Sequence, residues 1–335
     1  MLCFVDDALP GITRKRRGRY WQYFDAKGER ITDRDEIDRL NAVGLPPAYK
    51  NAWYCPSPEG HIQAIGYDDK GRKQYRYHED FRAQQEAAKY DGCADFGRAL
   101  PLLRARVEED MAGRKLDRDT VVAAVVRLLD LGHLRVGNES YAKENKSFGA
   151  TTLRTRHARV KGKTVKMRFK GKSGQLQEVS VTDRNLTRLV KRCQDLPGQQ
   201  LFQFVDEEGE PRAVGSSDVN AYIKEAMGEA FTAKHFRTWG ASRIAFEQIC
   251  AAGEDGISLK EMLEPVAEAL GNTPAISRKS YVHPALIEAV KRNPRDPLGG
   301  LQCPRATKYL SSAERGLIEF LDNEAARTET EAKAA

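Results

Sequence analysis

The chain has 335 residues, 40% of them apolar, which is too long for a single core and rich enough in apolar side chains to support two globular domains. Its 55 Lys and Arg against 48 Asp and Glu leave a formal charge of +7, an excess that matters only where it is clustered. No stretch approaches the roughly 20 apolar residues needed to span a bilayer, the opening MLCFVDDALPGITRKRRG is too polar for a secretory signal, and the expectation is a cytoplasmic protein. Cys3, Cys55, Cys93, Cys193, Cys250 and Cys303 lie far apart with no CxxC and no tight Cys/His spacing, which implies reduced thiols and no zinc site.

Between residues 19 and 78, short runs (RYWQYF, NAWYC, HIQAIG, RKQYRYH) alternate with the turn segments DAKG, PSPEG and DDKG, the pattern of a small antiparallel sheet. The charged, Ala-rich EDFRAQQEAAKY that follows suggests a linking helix, and we place the domain boundary near residue 90. Residues 96 to 134 read as helical. Within them Thr120 to Leu131 is apolar on nearly all sides, as a helix buried in a large core should be. The runs TTLRTRHARV, TVKMRFK and QLQEVSV then predict a three-stranded meander whose second turn carries Lys172.

Beyond about Thr182 helices dominate. Ser258 and Glu261 predict a capping box for a helix that Gly271 ends, and Thr273 followed by Pro274 predicts the start of the next. Asn272 then lies in a turn and Tyr281 late in a short helix. Residues 324 to 335 are expected to form a flexible acidic tail. The fold class is therefore α+β, with a β-rich domain over 1–90 and a larger, mainly helical domain over 91–323.

The excess charge is clustered. From Lys146 to Lys172 there are ten Lys or Arg and no acid, whereas Ser311 to Ala335 holds six acids against three bases. A basic middle of this kind points to a polyanion. Three basic stretches each centre on one cation: Arg135 in LRVGNESY, Lys172 in FKGKSG and Arg237 in KHFRTW. Tyr281, in SRKSYVHP, follows Asn272 by nine residues.

Two guanidiniums, an ammonium and a phenol are the parts needed to attack a phosphodiester. Planar Arg donors suit the charge that builds on the non-bridging oxygens, and Asn272 can add a neutral donor. An ammonium held among other cations can hand a proton to the departing sugar oxygen, and Lys172, at a hairpin tip, can reach it. Nearby positive charge helps a phenol ionise and attack phosphorus, giving a phosphotyrosine that stores the bond. Such chemistry calls for neither nucleotide nor metal. GKS at 171 to 173 is not a phosphate-binding loop, because Lys166 stands where its first Gly is required.

In order and spacing, these residues resemble the small type IB DNA topoisomerases of bacteria and poxviruses, and the resemblance covers nearly the whole chain. It implies a small β-rich domain and a catalytic domain that form a clamp around double-stranded DNA, acting as a monomer associated with the nucleoid and without a cofactor. It also implies roles: Arg135 and Arg237 as catalytic arginines, Lys172 as general acid, Asn272 in the position of a His or Asn, and Tyr281 as nucleophile. GRKQYRYH resembles the family's major-groove segment, which makes Gln74, Tyr75 and Tyr77 DNA contacts, with Tyr141 and Lys234 as backbone contacts near the cleavage point. The activity implied is relaxation of supercoils by nicking one strand, letting it swivel and resealing it.

Two alternatives stand beside this reading. Tyrosine recombinases use nearly the same parts, but their HxxR pattern is here KxxR, with Lys234 three residues before Arg237 and His235 one place too late. A non-catalytic DNA-binding protein could use the same basic groups to hold phosphates. Taken singly, each residue has an ordinary role: a packed Tyr, a hairpin Lys, a paired Arg, a turn Asn, an edge strand with alternating aromatics. The joint occurrence of the Tyr, Lys, Arg and Asn in this order argues against their ordinary roles together, while the plain edge strand remains an alternative for QYRYH.

Overall fold

The structure, a computed structural model, describes residues 2–69 and 71–334. The chain divides into two compact units, Met1–Lys89 and Tyr90–Ala335.

The first unit holds a five-stranded antiparallel sheet of β1 (Ile12–Arg17), β2 (Tyr20–Phe24), β3 (Lys50–Tyr54), β4 (Ile62–Tyr67) and β5 (Lys73–Tyr77), in the order β2-β1-β3-β4-β5. Helix α1 (Arg34–Ala42) starts at Asp33, whose carboxylate accepts from the Asp35 and Glu36 amides. Leu40 of α1 joins Ile12, Tyr23, Leu45, Tyr54 and Ala64 in a small core. Strand β1 precedes the expected start of the sheet at residue 19. Its sequence, ITRKRR, buries only Ile12, so it shows little apolar alternation. What holds it is pairing on both sides and Arg14, which stacks 4.1 Å from the Trp21 ring centroid and donates to the Leu45 carbonyl at 2.9 Å. Helix α2 (Glu79–Asp91) carries the chain into the second unit.

The second unit begins with α3 (Cys93–Met111), α4 (Arg118–Gly132) and α5 (Glu139–Asn145). A meander follows, made of β6 (Ala158–Lys161), β7 (Thr164–Lys170) and β8 (Leu176–Thr182). Then come α6 (Arg184–Gln194), the hairpin β9 (Gln203–Val205) and β10 (Pro211–Ala213), α7 (Ser216–Met227) and α8 (His235–Ala252). The chain closes with α9 (Leu259–Leu270), α10 (Pro274–Ser280), α11 (Pro284–Arg292) and α12 (Ser312–Ala334). Helix α4 is buried almost all round, as its composition predicts, and the core gathers about it. On β7 the alternation is strict: Val165, Met167 and Phe169 point into the core, which leaves Lys166, Arg168 and Lys170 exposed.

Ion pairs largely out of solvent tie three helices together, and a hydrogen bond adds a fourth. Arg104 of α3 donates to both Asp130 oxygens of α4 at 2.9 Å and to Glu314 of α12 at 2.7 and 2.9 Å. Trp239 of α8 donates to the same Glu314 carboxylate at 3.3 Å. Residues 324–334, expected from composition to fray, continue α12 as helix. Glu324 accepts from Arg292 of α11 at 2.9 Å and from Arg327 at 2.8 Å, and Arg327 pairs with Glu331 one turn on. Among the described residues, no helix is long and apolar enough to cross a membrane.

Candidate active site

Helix α4 ends at Gly132, and His133 in the left-handed conformation (φ 51°) turns the chain out of it. The next residues are pinned by their backbone. The Arg135 carbonyl accepts from the Ala150 amide at 2.8 Å, and that of Val136 from the Thr151 amide at 2.7 Å and hydroxyl at 2.9 Å. Gly149 makes this possible, because a Cβ there would lie 2.6 Å from the Arg135 carbonyl oxygen and 2.6 Å from the Gly137 nitrogen. So held, Arg135 donates through Nη2 to the Tyr281 hydroxyl at 2.9 Å.

Arg237, in the first turn of α8, is only 6% exposed. Its Nη1 donates to the His133 carbonyl and its Nη2 to the Leu270 carbonyl at 3.2 Å. The guanidinium carbon lies 4.6 Å from the centroid of the Tyr281 ring. Burial, with Arg135 beside it, lowers Arg237 to about 10, which still leaves it a cation at neutral pH.

Tyr281 sits at the C-terminal cap of α10, with a non-helical φ of −136°, rather than within the helix as the sequence suggests. Half burial alone would raise its phenol. The Arg237 and Arg135 guanidiniums outweigh that and hold it below the ordinary tyrosine range.

Lys172 occupies the exposed one-turn tip between β7 and β8. It lines one cleft with Arg135, Gln177, Arg237 and Leu270. Asn272 lies two residues beyond Leu270, in the turn that closes α9. Gly271 takes φ 59°, the Asn272 amide donates to the Ala267 carbonyl at 2.9 Å, and the Gly271 amide to that of Glu268 at 3.1 Å, a Schellman ending. The Nδ2 of Asn272 and the Nε of Arg237 are buried donors that find no acceptor among the described residues. An oxyanion is the natural partner for such donors.

The remaining candidates are dispersed. In the first unit, Tyr75 and Tyr77 on the edge strand β5 stack at 5.8 Å with planes 10° apart, each 40% exposed, and Gln74 donates to Asp68 at 3.1 Å. In the second, Lys234 is exposed at the N-cap of α8. Half-buried Tyr141 lies in the first turn of α5, its amide donating to the Asn138 side chain at 3.0 Å. His235, excluded from the catalytic set on spacing, accepts from the Thr232 amide at 3.0 Å and stacks on Phe96.

Two residues of the site are absent from the sequence reading. His133 contributes a carbonyl to Arg237, a role that no side-chain motif marks. Burial and the neighbouring Arg243 hold its ring neutral, lowered to about 4. Gln177 lines the cleft from β8. It sits in room left by Gly171 and Gly271, a relation that only the fold reveals.

The arrangement places a phenol between two cations, with an ammonium and unsatisfied donors nearby, and can exchange one ester oxygen of a phosphodiester for another. The family described as eukaryotic DNA topoisomerase I, catalytic core, matches residues 78–293, and that described as bacterial DNA topoisomerase IB, N-terminal domain, matches residues 20–68. DNA topoisomerase 1B of Acanthamoeba polyphaga mimivirus is 32% identical over 300 residues, which are 85% of this chain and 89% of that protein. DNA topoisomerase 1B of vaccinia virus is 24% identical over 233 residues, 68% of this chain and 72% of that one. A crystal structure of the XerH site-specific recombinase bound to a palindromic difH substrate superposes with a TM-score of 0.37 at 16% identity over 56% of this chain and 50% of that one, too slight a likeness to bear on the reading. By its sequence along both units, the chain belongs to the type IB DNA topoisomerases.

Proposed function

We propose that Tyr281 is the nucleophile with which this topoisomerase nicks one strand of duplex DNA, and that Arg135, Arg237, Lys172 and Asn272 serve the phosphodiester it attacks. The observation that carries the proposal is the phenol held between two guanidiniums, 2.9 Å from Arg135 Nη2 and with Arg237 against its ring. The phenol sheds its proton to solvent and its oxygen bonds to phosphorus. The P–O5′ bond breaks, and the leaving oxygen takes a proton from Lys172. The nicked strand then has one end held as a 3′-phosphotyrosine and its other end free as a 5′-hydroxyl, which can swivel about the intact strand before the steps reverse. One ester replaces another, so the balance requires no nucleotide hydrolysis. Arg135, the Arg237 Nε and the Asn272 Nδ2 supply donors for the charge on the non-bridging oxygens.

For the wider interface we propose a monomer whose two units clamp double-stranded DNA, with Gln74, Tyr75 and Tyr77 in contact with bases and Tyr141 and Lys234 with the backbone. Charge supports this: Lys166, Arg168 and Lys170 form an exposed basic face, and Tyr75 and Tyr77 stand exposed on an edge strand beside Lys73 and Arg76. Supercoiled plasmid lacking any special site provides the test. Wild-type protein should relax it and yield a denaturant-resistant DNA adduct on the peptide containing Tyr281, whereas Tyr281→Phe should bind DNA without relaxing it. An adduct on another peptide, or relaxation by the Phe variant, removes Tyr281 from the mechanism. A requirement for paired cognate sites would instead indicate recombination.

A further inference from the structure

From the packing of one β8 side chain against two glycines we infer that Gln177 is a positioning residue, the spacer that sets the Lys172 tip against the turn carrying Asn272. The inference deepens the proposed function and rests on Lys172 acting as the proton donor to the leaving oxygen.

Gln177 stands opposite Phe169 across the β7–β8 ladder, so its side chain starts at the base of the hairpin tip. Its stem fills the space beside Gly171, the residue before Lys172: a Cβ on Gly171 would come 2.8 Å from Gln177 Cγ. Its amide fills the space beside Gly271, the residue before Asn272: a Cβ there would come 2.1 Å from Oε1 and 2.6 Å from Nε2. Nε2 also donates to the Gly271 carbonyl at 3.4 Å. One side chain thus occupies the notches of two glycines, each adjacent in sequence to a proposed catalytic group. It lines the same cleft as Arg135, Lys172 and Arg237.

The two sides of this contact are unequally secured. The Asn272 turn is fixed by its own backbone bonds to Ala267 and Glu268. The tip from Lys172 to Gly174 is exposed, and its backbone bonds, from the Gly171 amide to the Gln175 carbonyl at 2.7 Å and from the Gly174 amide to the Gly171 carbonyl at 3.0 Å, close the turn on itself without tying it to anything outside the hairpin. Loss of Gln177 therefore releases the tip and leaves the turn in place. The defect should appear in proton delivery, the step Lys172 performs, and not in attack by Tyr281.

The test compares two DNA duplexes carrying the cleavage position mapped on wild-type protein, one with the natural bridging 5′ oxygen and one with sulfur there. A thiolate leaves without a proton, so the sulfur ester bypasses the acid. In single-turnover cleavage, Gln177→Ala should slow the oxygen ester roughly 10- to 100-fold, the scale of a misplaced catalytic group, while the sulfur ester stays within about threefold of wild type. Gln177→Met, which keeps the stem and loses the amide bond to Gly271, should fall between wild type and Gln177→Ala on the oxygen ester and match wild type on the sulfur one. Equal losses by Gln177→Ala on both esters, or no loss on the oxygen ester, overturn the inference. Lys172→Ala run in parallel separates the two readings. If it too loses equally on both esters, the acid assignment falls and the inference with it; if sulfur rescues Lys172→Ala but not Gln177→Ala, the inference alone falls.

Discussion

Arg135 and Tyr281, 146 residues apart in sequence, meet in a hydrogen bond of 2.9 Å between guanidinium and phenol. The bond joins the loop after the most buried helix of the second unit to the end of a short peripheral one, and it makes the acidity of the phenol depend on a residue from a different element.

That dependence sets a pH profile. Burial raises the Tyr281 pKa, Arg237 and Arg135 lower it further than burial raises it, and cleavage should therefore increase with pH through an inflection below the ~10 of free tyrosine. Arg135→Ala removes one of the two cations, so the inflection should move to higher pH and the rate at neutral pH should fall roughly 100- to 1000-fold. Single-turnover cleavage across pH measures both. An inflection that stays where it was would separate phenol ionisation from the rate.

Gly149→Ala tests the frame behind Arg135. The added methyl would lie 2.6 Å from the Arg135 carbonyl oxygen, and the backbone there has to move. A displacement on the order of 1 Å should cost about 100-fold in cleavage. Far-UV circular dichroism should be retained, since the helices do not depend on this contact. Full activity in this variant would show that Arg135 is not held by the Gly149 approach.

Stability should be sensitive to acid through Glu314. Burial raises its carboxyl, but Arg104 and the Ser311 amide lower it further, so its folded pKa lies below the unfolded value. A group of that sign contributes stability that is present above the unfolded pKa, near ~4.3, and is lost as pH falls through the folded one. Glu314→Gln should remove this part of the acid sensitivity. It should also destabilise the protein at neutral pH by about 3 kcal/mol, toward the lower end for a broken buried pair because Asp130 still accompanies Arg104. Urea unfolding at pH 7 and at about pH 3, within the window below the unfolded value, checks both statements, and equal acid sensitivity in the two proteins would count against the assignment.

DNA affinity should fall steeply with salt, by about 0.9 in the logarithm of the binding constant per decade of salt for each phosphate neutralised. Lys234→Ala should weaken binding similarly across sequences and reduce that slope by about 1. A titration from low to moderate salt measures it. An unchanged slope would take Lys234 out of contact with phosphate.

The sequence made the family and its motif residues legible and left the scaffolding obscure, for a physical reason. The roles proposed for Arg135, Lys172, Arg237 and Tyr281 belong to their side chains, so their motifs survive in one dimension, and the structure brings Arg135 and Arg237 to Tyr281. The second and third strands of the meander were equally readable, because Val165, Met167 and Phe169 alternate with exposed cations, but the first was expected over TTLRTRHARV and begins only at Ala158, after short 3-10 turns at Ala150–Thr152 and Thr155–His157. Strand β1 was not, since five of its six residues are polar and its stability comes from ladder bonds and the stacking of Arg14 on Trp21. Nor were the supports of the site. His133 acts through a carbonyl, and Gln177 through space that two glycines leave open. Neither kind of contact alters composition or spacing.

The position of Tyr281 has a mechanical consequence. The next residue, Val282, is fully buried, and the one after, His283, anchors its amide to the Ser242 hydroxyl on α8 at 2.9 Å and packs its ring against Tyr90. A DNA strand bonded to Tyr281 would thus pull on a rooted segment and not on a dangling loop. If Tyr281 carries the strand as proposed, torque from the unwinding duplex would pass within two residues into the interior of the protein and would leave the attachment point little room to wander.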